Sequence, residues 1–414
     1  MFLTIYDRMT FFEHIEDDNI SGVAYKNNSI KKNIIVILSV YGNSTIAELS
    51  KELKLSVPKI TNVINELIEE GLVKDYGKST SVSGRKPNIY GLLPTSGFFV
   101  GVDVKHSHVN IGLIDLNKNI VSIAENLPYK LANNQASLDD LCKIIKDFIK
   151  KSAVPKEKIL ALGLNLSGRI NYKTGYSYSF FYFSETPLSK YLEETLKIKT
   201  FIENDSRAMA YGEFMSGVVK QEKNVLFLNL DYGIGMGTLI NGQIYYGQSG
   251  FAGEFGHIPM FDNEIICHCG KKGCLETEAS GRALKDLFIQ KVNEGFATTL
   301  TQTVPVDDIN LNHIISAIHA DDVLAIELLA KIGEKLGRAI AILINLYNPE
   351  LIILGGPLAQ TNDYILLPIK SAINKYSLNL VSTDTKIKLS QLQEKAGVIG
   401  ACLLVRDRLL DINP

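Results

Sequence analysis

The chain has 414 residues, 46% of them hydrophobic, and carries a formal net charge of −2. This length exceeds a single compact core and predicts two or three domains, and the composition excludes a disordered protein. The sequence contains neither an apolar run of the roughly 20 residues that span a membrane nor the basic region, apolar stretch and cleavage site of a signal peptide.

Charge is unevenly distributed near the N-terminus. Residues 1–25 carry one arginine and five acidic residues, a balance of −4, and we assign no role to this arm. Residues 26–91 carry ten Lys/Arg and six Asp/Glu, a balance of +4. A basic segment within a weakly acidic chain indicates a nucleic-acid-binding module.

The basic segment predicts three helices followed by two strands. The run Asn43-Ser44-Thr45 offers an N-cap for the second helix, and Ser56, followed by Pro58 in the first turn, can cap the third. The expected elements are helices over 31–42, 46–53 and 56–70 and strands over 72–76 and 87–90. Their order is that of a winged helix-turn-helix, which we place at residues 26–92. A small helical bundle that binds protein is the alternative.

The third helix is the expected recognition helix. Its outward side chains are short and polar or basic, as contacts with base edges and phosphates require. The wing tip adds two basic residues, of which the arginine could enter a minor groove. The candidate DNA contacts are Ser56, Lys59, Thr61, Asn62, Asn65, Arg85 and Lys86.

The rest of the chain alternates strands with helices, which indicates an α/β domain. A first round comprises strands over 98–104, 109–115 and 120–125, a helix over 138–151 and a strand over 159–164. A second round begins with a strand over 225–230, and Asn241-Gly242 predicts a tight hairpin turn within it.

Three of the five cysteines, Cys267, Cys269 and Cys274, lie within eight residues, and His257 precedes them. Thiolates and imidazole are the ligands that a structural zinc ion prefers, and glycines at 270 and 273 allow the tight turn that a shared site needs. His268 could compete with His257 for the fourth position, and three unrelated thiols in a loop are the simpler alternative. With three cysteines assigned to a metal, the composition fits the reducing cytoplasm, where we expect the protein to act.

These residues also carry a resemblance to a known family. Gly253-Glu254-Phe255-Gly256-His257, followed by the pattern Cys-x-Cys-Gly-x-x-Gly-Cys-x-Glu that ends at Glu276, resembles the signature of the ROK family of sugar kinases and sugar-responsive repressors. Gly-Arg-x-Pro at 84–87 is similar to the wing of ROK repressors. The resemblance covers about residues 30–405 and implies a duplicated actin-like (ribonuclease H-like) fold, with zinc held by His257, Cys267, Cys269 and Cys274.

The resemblance also implies a division of the α/β domain into two lobes. The sugar-binding domain would occupy residues 93–414. Its small lobe would span about 93–205 plus a C-terminal helix at about 396–414, and its large lobe about 206–395, including the zinc knuckle.

The resemblance further implies a sugar site. One imidazole nitrogen of His257 can bind zinc while the other faces a hydroxyl. In family kinases the Asp of an Asn-Asp pair is the general base, so Asp205 would be its vestige here. Capping of the following helix is the simpler interpretation of that pair. The implied sugar-binding residues are Asn204, Asp205, Glu254, His257 and Glu276.

The phosphate-binding loops of the family kinases are altered in this chain. The first loop, Asp-x-Gly-Gly-Thr in the kinases, here has Lys105, His106 and Ser107 after its second position. In the second loop, Asp231 and Tyr232 replace a Gly-Thr pair, so that a carboxylate would repel the phosphate. Asp103 and the glycine pair after Leu354 are preserved. Both loops that would bind phosphate are altered, whereas the preserved residues are only Asp103 and the glycine pair. We therefore expect no kinase activity.

The sequence therefore predicts a sugar-responsive transcriptional regulator, most simply a repressor of carbohydrate-utilisation genes. Its expected partners are operator DNA, a sugar or sugar phosphate, and a second copy of the chain, in a homodimer or a dimer of dimers, because helix-turn-helix proteins normally read two half-sites. The first alternative is an ATP-dependent hexose or N-acetylhexosamine kinase. The second is a DNA-binding protein that uses its ROK domain only as a dimerisation scaffold.

Overall fold

The structure is a computed structural model, which describes residues 22–78 and 87–412. They form two compact units. The first combines the residues up to Leu166 with Thr174–Ile202 and the residues from Ala401 onwards, and the second combines Ser167–Lys173 with Glu203–Gly400. All the residues predicted to bind zinc or sugar therefore lie in one unit.

Helices and strands alternate along most of the described chain. The helices are α1 (Gly22–Tyr41), α2 (Ile46–Leu53), α3 (Val57–Glu69), α4 (Gln135–Lys151), α5 (Leu188–Leu196), α6 (Asp205–Ser216), α7 (Glu276–Ala279), α8 (Gly281–Asn293), α9 (Leu311–His319), α10 (Val323–Tyr347), α11 (Asp363–Tyr376), α12 (Asn379–Ser382) and α13 (Lys395–Leu409). The strands are β1 (Ser44–Thr45), β2 (Val73–Lys78), β3 (Asn88–Leu92), β4 (Phe98–Val104), β5 (His108–Asp115), β6 (Ile120–Pro128), β7 (Ile159–Leu166), β8 (Ile170–Asn171), β9 (Tyr176–Ser177), β10 (Thr200–Asn204), β11 (Val225–Leu230), β12 (Ile234–Ile240), β13 (Gln243–Ile244), β14 (Leu351–Gly355) and β15 (Lys386–Leu389).

The first unit begins with the predicted winged helix-turn-helix. Helices α1 to α3 are followed by the antiparallel strands β2 and β3, and β1 pairs with β3 to complete a three-stranded sheet. Thr45 and Glu48 form a capping box at the start of α2, which confirms the predicted cap. Ser56 lies at the N-cap of α3 as predicted, but its side chain makes no capping hydrogen bond.

The predicted start of the first helix, Lys31, is wrong, because α1 begins at Gly22. Residues 25–30 are mostly polar and show no apolar stripe, so their sequence gives no helical signal. Tertiary contacts supply the missing stabilisation: the side-chain amide of Asn27 donates a hydrogen bond to the Glu66 carboxylate of α3 over 2.8 Å.

Each unit contains a five-stranded sheet of the same design. In the first unit the sheet has the order β10-β7-β4-β5-β6, with β4 and β5 antiparallel and β4 and β7 parallel. In the second the order is β13-β12-β11-β14-β15, with β11 and β12 antiparallel and β11 and β14 parallel. This repetition confirms the duplicated fold that the sequence predicts.

The core of the second unit lies between its sheet and helices α8 to α11. All six residues of β11 are buried, as expected of a strand that is covered on both faces. Helix α6 packs very closely on β12, because a Cβ atom at Gly237 would lie 2.6 Å from the carbonyl oxygen of Ser206. The contact fixes the start of α6, which carries Asn204 and Asp205. None of the described helices has the length and apolar character needed to cross a membrane.

Candidate functional site

The cysteine segment folds back on itself twice. Isolated bridges pair Pro259 with Cys274 and Ile266 with Lys272, so that the first and last cysteines are brought together. Gly273 has a φ of +72° and its Cβ would lie 2.2 Å from the carbonyl oxygen of Phe261. Only glycine fits there, which explains the glycine spacing that the sequence displays.

The four predicted zinc ligands converge. One donor atom from each of His257, Cys267, Cys269 and Cys274 lies within 4.8 Å of the other three. The sulfurs of Cys269 and Cys274 are 3.6 Å apart, and Nδ1 of His257 is 3.6 Å from the Cys267 sulfur. A tetrahedral zinc ion with Zn–S bonds of about 2.3 Å holds its ligand sulfurs about 3.8 Å apart. The donor set and its spacing therefore fit zinc.

Electrostatics favour a cation at this point. Burial, followed by the neighbouring cysteine sulfurs, raises the pKa of Cys274 to about 12. Burial likewise raises the pKa of Cys267. Burial also opposes ionisation of Cys269, but hydrogen bonds from the Lys271 backbone and the other two cysteines lower the pKa of this thiol. Three crowded thiolates are unfavourable without a positive charge between them, and a bound metal ion supplies that charge.

His268 takes a different position from the four clustered residues. Its Nδ1 lies 2.9 Å from Oε1 of Glu276 and 3.8 Å from the Cys267 sulfur, and its side chain is 59% exposed. Cys267, His268 and Glu276 thus form a second, overlapping group of potential metal ligands among the described residues. That group contains one cysteine instead of three, so it suits zinc less well.

Two carboxylates adjoin the cysteine cluster. Oε2 of Glu254 lies 3.8 Å from Nε2 of His257, the ring nitrogen that does not face Cys267. Oε2 of Glu276 accepts the backbone N–H of Ile234 over 3.0 Å. Glu254 thus lies beside the half-buried imidazole of His257, whereas Glu276 contacts His268 and the backbone of Ile234. Sugar binding by these residues stays a prediction.

Asn204 and Asp205 lie at the start of α6. Oδ1 of Asn204 caps the helix by accepting the backbone N–H of Arg207 over 3.1 Å, and Oδ1 of Asp205 accepts that of Ser206 over 2.7 Å. The Asn204-Asp205 pair therefore does cap the helix, as the simpler interpretation of the sequence predicts. The amide nitrogen of Asn204, Nδ2, donates to the carbonyl of Gly168, so both polar atoms of this side chain have partners within the protein.

The loop at 231–235 connects these two groups of residues. A Cβ atom at Gly235 would lie 2.0 Å from the hydroxyl of Ser206, and one at Gly233 would lie 2.6 Å from the carboxylate of Glu276. The loop therefore fits tightly between the start of α6 and Glu276. The loop thus contacts Ser206, which follows Asp205, and Glu276, which follows the cysteine cluster.

A buried ion pair beside the site was missed by sequence reasoning. Arg207 donates to the carboxylate of Glu203 over 2.7 Å and to the carbonyl of Gly250 over 2.8 Å, and both charged side chains are almost completely buried. Its guanidinium also lies 5.5 Å from the ring of Tyr246. The pair links the start of α6 to the segment before Glu254. Its four-residue spacing crosses a strand–helix boundary, so no helical pattern signals it.

The two altered phosphate loops each contain a local electrostatic contact. In the first unit, Nζ of Lys105 lies 3.3 Å from the carboxylate of Asp103, which is fully buried. In the second unit, Oδ1 of Asp231 accepts the backbone N–H of Tyr232 over 2.6 Å. A half-buried lysine thus pairs with Asp103 in the first loop, and in the second loop the Asp231 carboxylate accepts a backbone N–H. The preserved Gly356 has a φ of +82° and lies against the carbonyl of Leu230, so packing alone requires it.

The candidate DNA contacts lie on two sides of α3. Ser56, Asn62 and Asn65 are exposed, whereas Thr61 is half-buried and bonds the carbonyl of Val57. Nζ of Lys59 donates to the side-chain oxygen of Asn27 over 2.8 Å, so this lysine flanks α1. The wing residues Arg85 and Lys86 lie outside the described residues.

A lysine network joins α1 to the recognition helix. Lys31 is buried, and its Nζ lies 2.8 Å from the carboxylate of Glu66 and 2.5 Å from that of Glu70. Burial opposes charging of both Lys31 and Glu66. The hydrogen bonds between them nevertheless raise the pKa of Lys31 and lower the pKa of Glu66.

Lys31→Met should therefore loosen α3. Loss of the shared ammonium leaves two carboxylates facing each other, at a cost of about 1–2 kcal/mol, and the amides of α3 should exchange faster with deuterium. Because the pKa of Glu66 is lowered, its contribution holds above the ordinary glutamate pKa and disappears as pH falls below about 4. The difference in the free energy of unfolding between variant and wild type should thus be constant near neutral pH and shrink in acid. Lys26→Met is the control at an exposed position of α1. It should change neither the free energy of unfolding nor the exchange of the α3 amides.

Comparison with known proteins finds a matching family model for each of two segments of the chain. Residues 99–408 match the model of the ROK family, and residues 27–74 match that of winged helix-turn-helix DNA-binding domains. The chain is 28% identical over 378 residues to the DNA-binding transcriptional dual regulator NagC of Escherichia coli, covering 91% of each protein. It is 27% identical over 392 residues to the xylose repressor of Caldicellulosiruptor bescii, covering 93% of this chain and 98% of the repressor.

Two solved structures are similar in fold. A ROK family transcriptional regulator, a homolog of the E. coli MLC protein, matches with a TM-score of 0.74 and 24% identity, covering 98% of this chain and 96% of its own. A ROK family glucokinase from Streptomyces griseus, in complex with glucose and AMPPNP, matches with a TM-score of 0.65 and 26% identity, covering 74% of this chain and 99% of its own. The likeness to the regulator thus extends over a larger share of this chain than the likeness to the kinase.

Proposed function

The chain belongs to the ROK family, and from this we propose that it is a cytoplasmic transcriptional repressor. In the proposal it binds operator DNA through its winged helix-turn-helix and responds to a sugar or sugar phosphate bound by its ROK domain. The observation that carries the proposal is the presence of both modules in one chain, at residues 27–74 and 99–408.

The relatives support this assignment over nearly the whole chain. The similarity to NagC and to the xylose repressor covers at least 91% of this chain, so it includes the DNA-binding module as well as the ROK domain. These relatives are named for different sugars or genes, so the effector is proposed here only as a class. A homodimer or dimer of dimers is proposed because helix-turn-helix proteins read paired half-sites.

In the proposed sugar site, five residues supply hydrogen bonds to hydroxyl groups. Carboxylates accept hydrogen bonds from hydroxyls, and an amide can both donate and accept, which is the mixture that polyols require. Zinc is proposed as a structural ion held by His257 Nδ1 and the three cysteine sulfurs. It would fix the orientation of the imidazole beside Glu254. The proposed sugar-binding residues are Asn204, Asp205, Glu254, His257 and Glu276.

A sugar kinase is the second candidate, favoured by the likeness to the glucokinase and by the survival of Asp205. Phosphoryl transfer depends on positioning and charge neutralisation of the phosphates. The contact between Lys105 and Asp103 and the bond from Tyr232 to Asp231 both oppose that function. We therefore propose that the protein is not an enzyme.

Sequence-specific DNA binding should depend on Asn62. Asn62→Ala removes an exposed amide of α3 that can pair with a base edge, at a cost of about 1–3 kcal/mol, and should relax the sequence preference. Lys59→Ala should instead weaken binding to all sequences and reduce the salt dependence by about one phosphate contact. The measurement is fluorescence anisotropy on a duplex that the wild-type protein enriches from a random pool, together with an unrelated duplex.

Lys331→Ala is the matched control, because it removes an exposed lysine of α10 outside the DNA-binding module. Its affinity for both duplexes should equal that of wild type. Failure of the wild-type protein to enrich any duplex would count against the proposed function as a whole. Wild-type affinity of the Asn62 variant would instead remove only the proposed base contact.

A further inference from the structure

One arginine of the C-terminal helix is buried among three elements of the first unit. Arg406 has an exposed fraction of 1%, and it has the largest of the almost completely buried side chains in the described residues. Its Nε donates to the carbonyl of Leu116, just after β5, over 3.0 Å, and its Nη2 to the carbonyl of Ser39, in α1, over 3.4 Å. Its Nη1 pairs with the carboxylate of the neighbouring Asp407. The guanidinium thus joins the winged helix-turn-helix to the sheet and to α13.

The buried pair is not explained by stability alone. Asp407 is fully buried as well, and removing two charges from water costs several kcal/mol per ion, which their attraction repays only in part. Apolar residues of similar volume often stabilise such a site equally well. A rigid, planar guanidinium does provide what apolar side chains cannot, namely directional bonds to two separate carbonyl groups.

Helix α1 ends at a glycine cap, because Gly42 has a φ of +83° and its N–H bonds the carbonyl of Leu38, but this cap does not reach every terminal carbonyl. The last four carbonyls of a helix have no partner within the helix, and cations near them are stabilising. Helix α1 has no basic residue in its last turn. The carbonyl of Leu38 accepts the N–H of Gly42, and that of Ser39 accepts the distant Arg406. Beyond the glycine cap, the carbonyl of Ser39 is therefore bonded by a side chain that lies 367 residues further along the chain.

Two further contacts accompany this one. Lys32 of α1 forms an exposed ion pair with Asp411, just beyond α13. The segment between β3 and β4 comprises only residues 93–97, and the carbonyl of Pro94 within it accepts the N–H of Leu116. The DNA-binding module is thus held at its linker and at the end of α1.

We propose that Arg406 is a positioning residue for DNA binding. It fixes the end of α1 against the ROK sheet, and through the Lys31 network it fixes the orientation of the recognition helix α3. The winged helix-turn-helix is then a rigid part of the first unit and not a domain on a flexible linker. A fixed orientation matters in particular where paired heads must meet two half-sites.

The first test uses the wild-type protein and hydrogen–deuterium exchange read by peptide mass spectrometry. The amides of residues 38–42 should exchange within about tenfold of those in β5, because anchored segments open together. Exchange at the rate of an unstructured peptide would overturn the proposal.

The second test replaces the ion pair by apolar residues, Arg406→Met together with Asp407→Leu. This protein should unfold near the wild-type temperature. Residues 38–42 should exchange at least about tenfold faster, and affinity for the enriched duplex should fall by about tenfold, since orienting a freed head costs entropy. A residue that serves only the stability of the fold would leave both readings at wild-type values in such a protein, and that result would overturn the proposal. Lys32→Ala is the control, because it removes only the exposed ion pair with Asp411. It should change neither the exchange of residues 38–42 nor the affinity for the duplex.

If the double variant does not fold, Arg406→Lys replaces it, and the same two quantities are measured: the exchange of residues 38–42 and the affinity for the enriched duplex. It keeps the charge but loses the planar fork, so faster exchange of residues 38–42 supports the proposal and unchanged exchange overturns it. The affinity measurement rests on the proposed DNA binding, whereas the exchange measurement does not. A protein that enriches no duplex therefore counts against the proposed function and leaves the exchange result to judge Arg406.

Discussion

Cys269→Ser should lose zinc and lower the unfolding temperature together. The Cys269 sulfur lies 3.6 Å from that of Cys274, and a serine hydroxyl does not replace a thiolate as a zinc ligand. Because the binding free energy of a structural zinc ion is also folding free energy, the segment around the cluster should open when the ion is lost. Elemental analysis should return about one zinc per chain for wild type, as expected for one four-ligand site, and almost none for the variant.

Cys142→Ala provides the matched control, because Cys142 is a buried cysteine of α4, outside the cluster. It should retain the full zinc content. Exhaustive chelation of the wild-type protein should reproduce the drop in unfolding temperature seen with Cys269→Ser. A purified wild-type protein that contains no metal and unfolds at the same temperature with and without added zinc would remove the metal from the proposal.

The parts of the fold that the sequence predicts are those encoded by local signals. The polar run 43–45 predicts an N-cap at the start of α2, where Thr45 caps the helix, and a continuous apolar run marks β11. The close spacing of three cysteines and two glycines predicts the metal-binding cluster, whose donor atoms do converge. Each of these signals lies within a window of about ten residues, which is the range that hydrophobic and capping patterns cover.

The features that sequence reasoning missed depend on distant partners. The first turns of α1 are held by Asn27 and its bond to Glu66, which lies 39 residues away. The roles of Arg207 and Arg406 depend on carbonyl groups of other segments, and any residue type presents a carbonyl. No pattern of side chains could therefore identify their partners.

The proposed separation of sugar binding from catalysis rests on two different kinds of residue. Binding of a polyol needs only donors and acceptors, which the residues bordering loop 231–235 provide. Transfer of a phosphoryl group needs free backbone N–H groups and positive charge directed at the phosphates. In the second loop the N–H of Tyr232 is already bonded to Asp231, and in the first unit Lys105 lies beside the buried Asp103. We therefore expect the chain to bind a sugar without transferring a phosphoryl group to it.

A sugar should accordingly bind without being phosphorylated. Calorimetry with a panel of xylose, glucose, N-acetylglucosamine and their phosphates should identify at least one ligand. Glu254→Ala should weaken its binding by about 10- to 100-fold, the range for a lost hydrogen bond to a charged group. Zinc content should be measured in the same protein, since the Glu254 carboxylate lies 3.8 Å from His257 and metal loss would be a separate cause.

Glu327→Ala, at an exposed position of α10, is the control and should bind as wild type does. With ATP and magnesium, the wild-type protein should show no ADP release on any sugar of the panel. Turnover at the rate of ordinary kinases, about 1–100 per second, would replace the repressor proposal with that of a kinase carrying a DNA-binding module. Absence of both binding and turnover would instead favour a ROK domain that serves only to pair two DNA-binding modules, because a scaffold needs no ligand. The three outcomes are exclusive for the sugars tested, since phosphorylation requires binding and a scaffold requires neither.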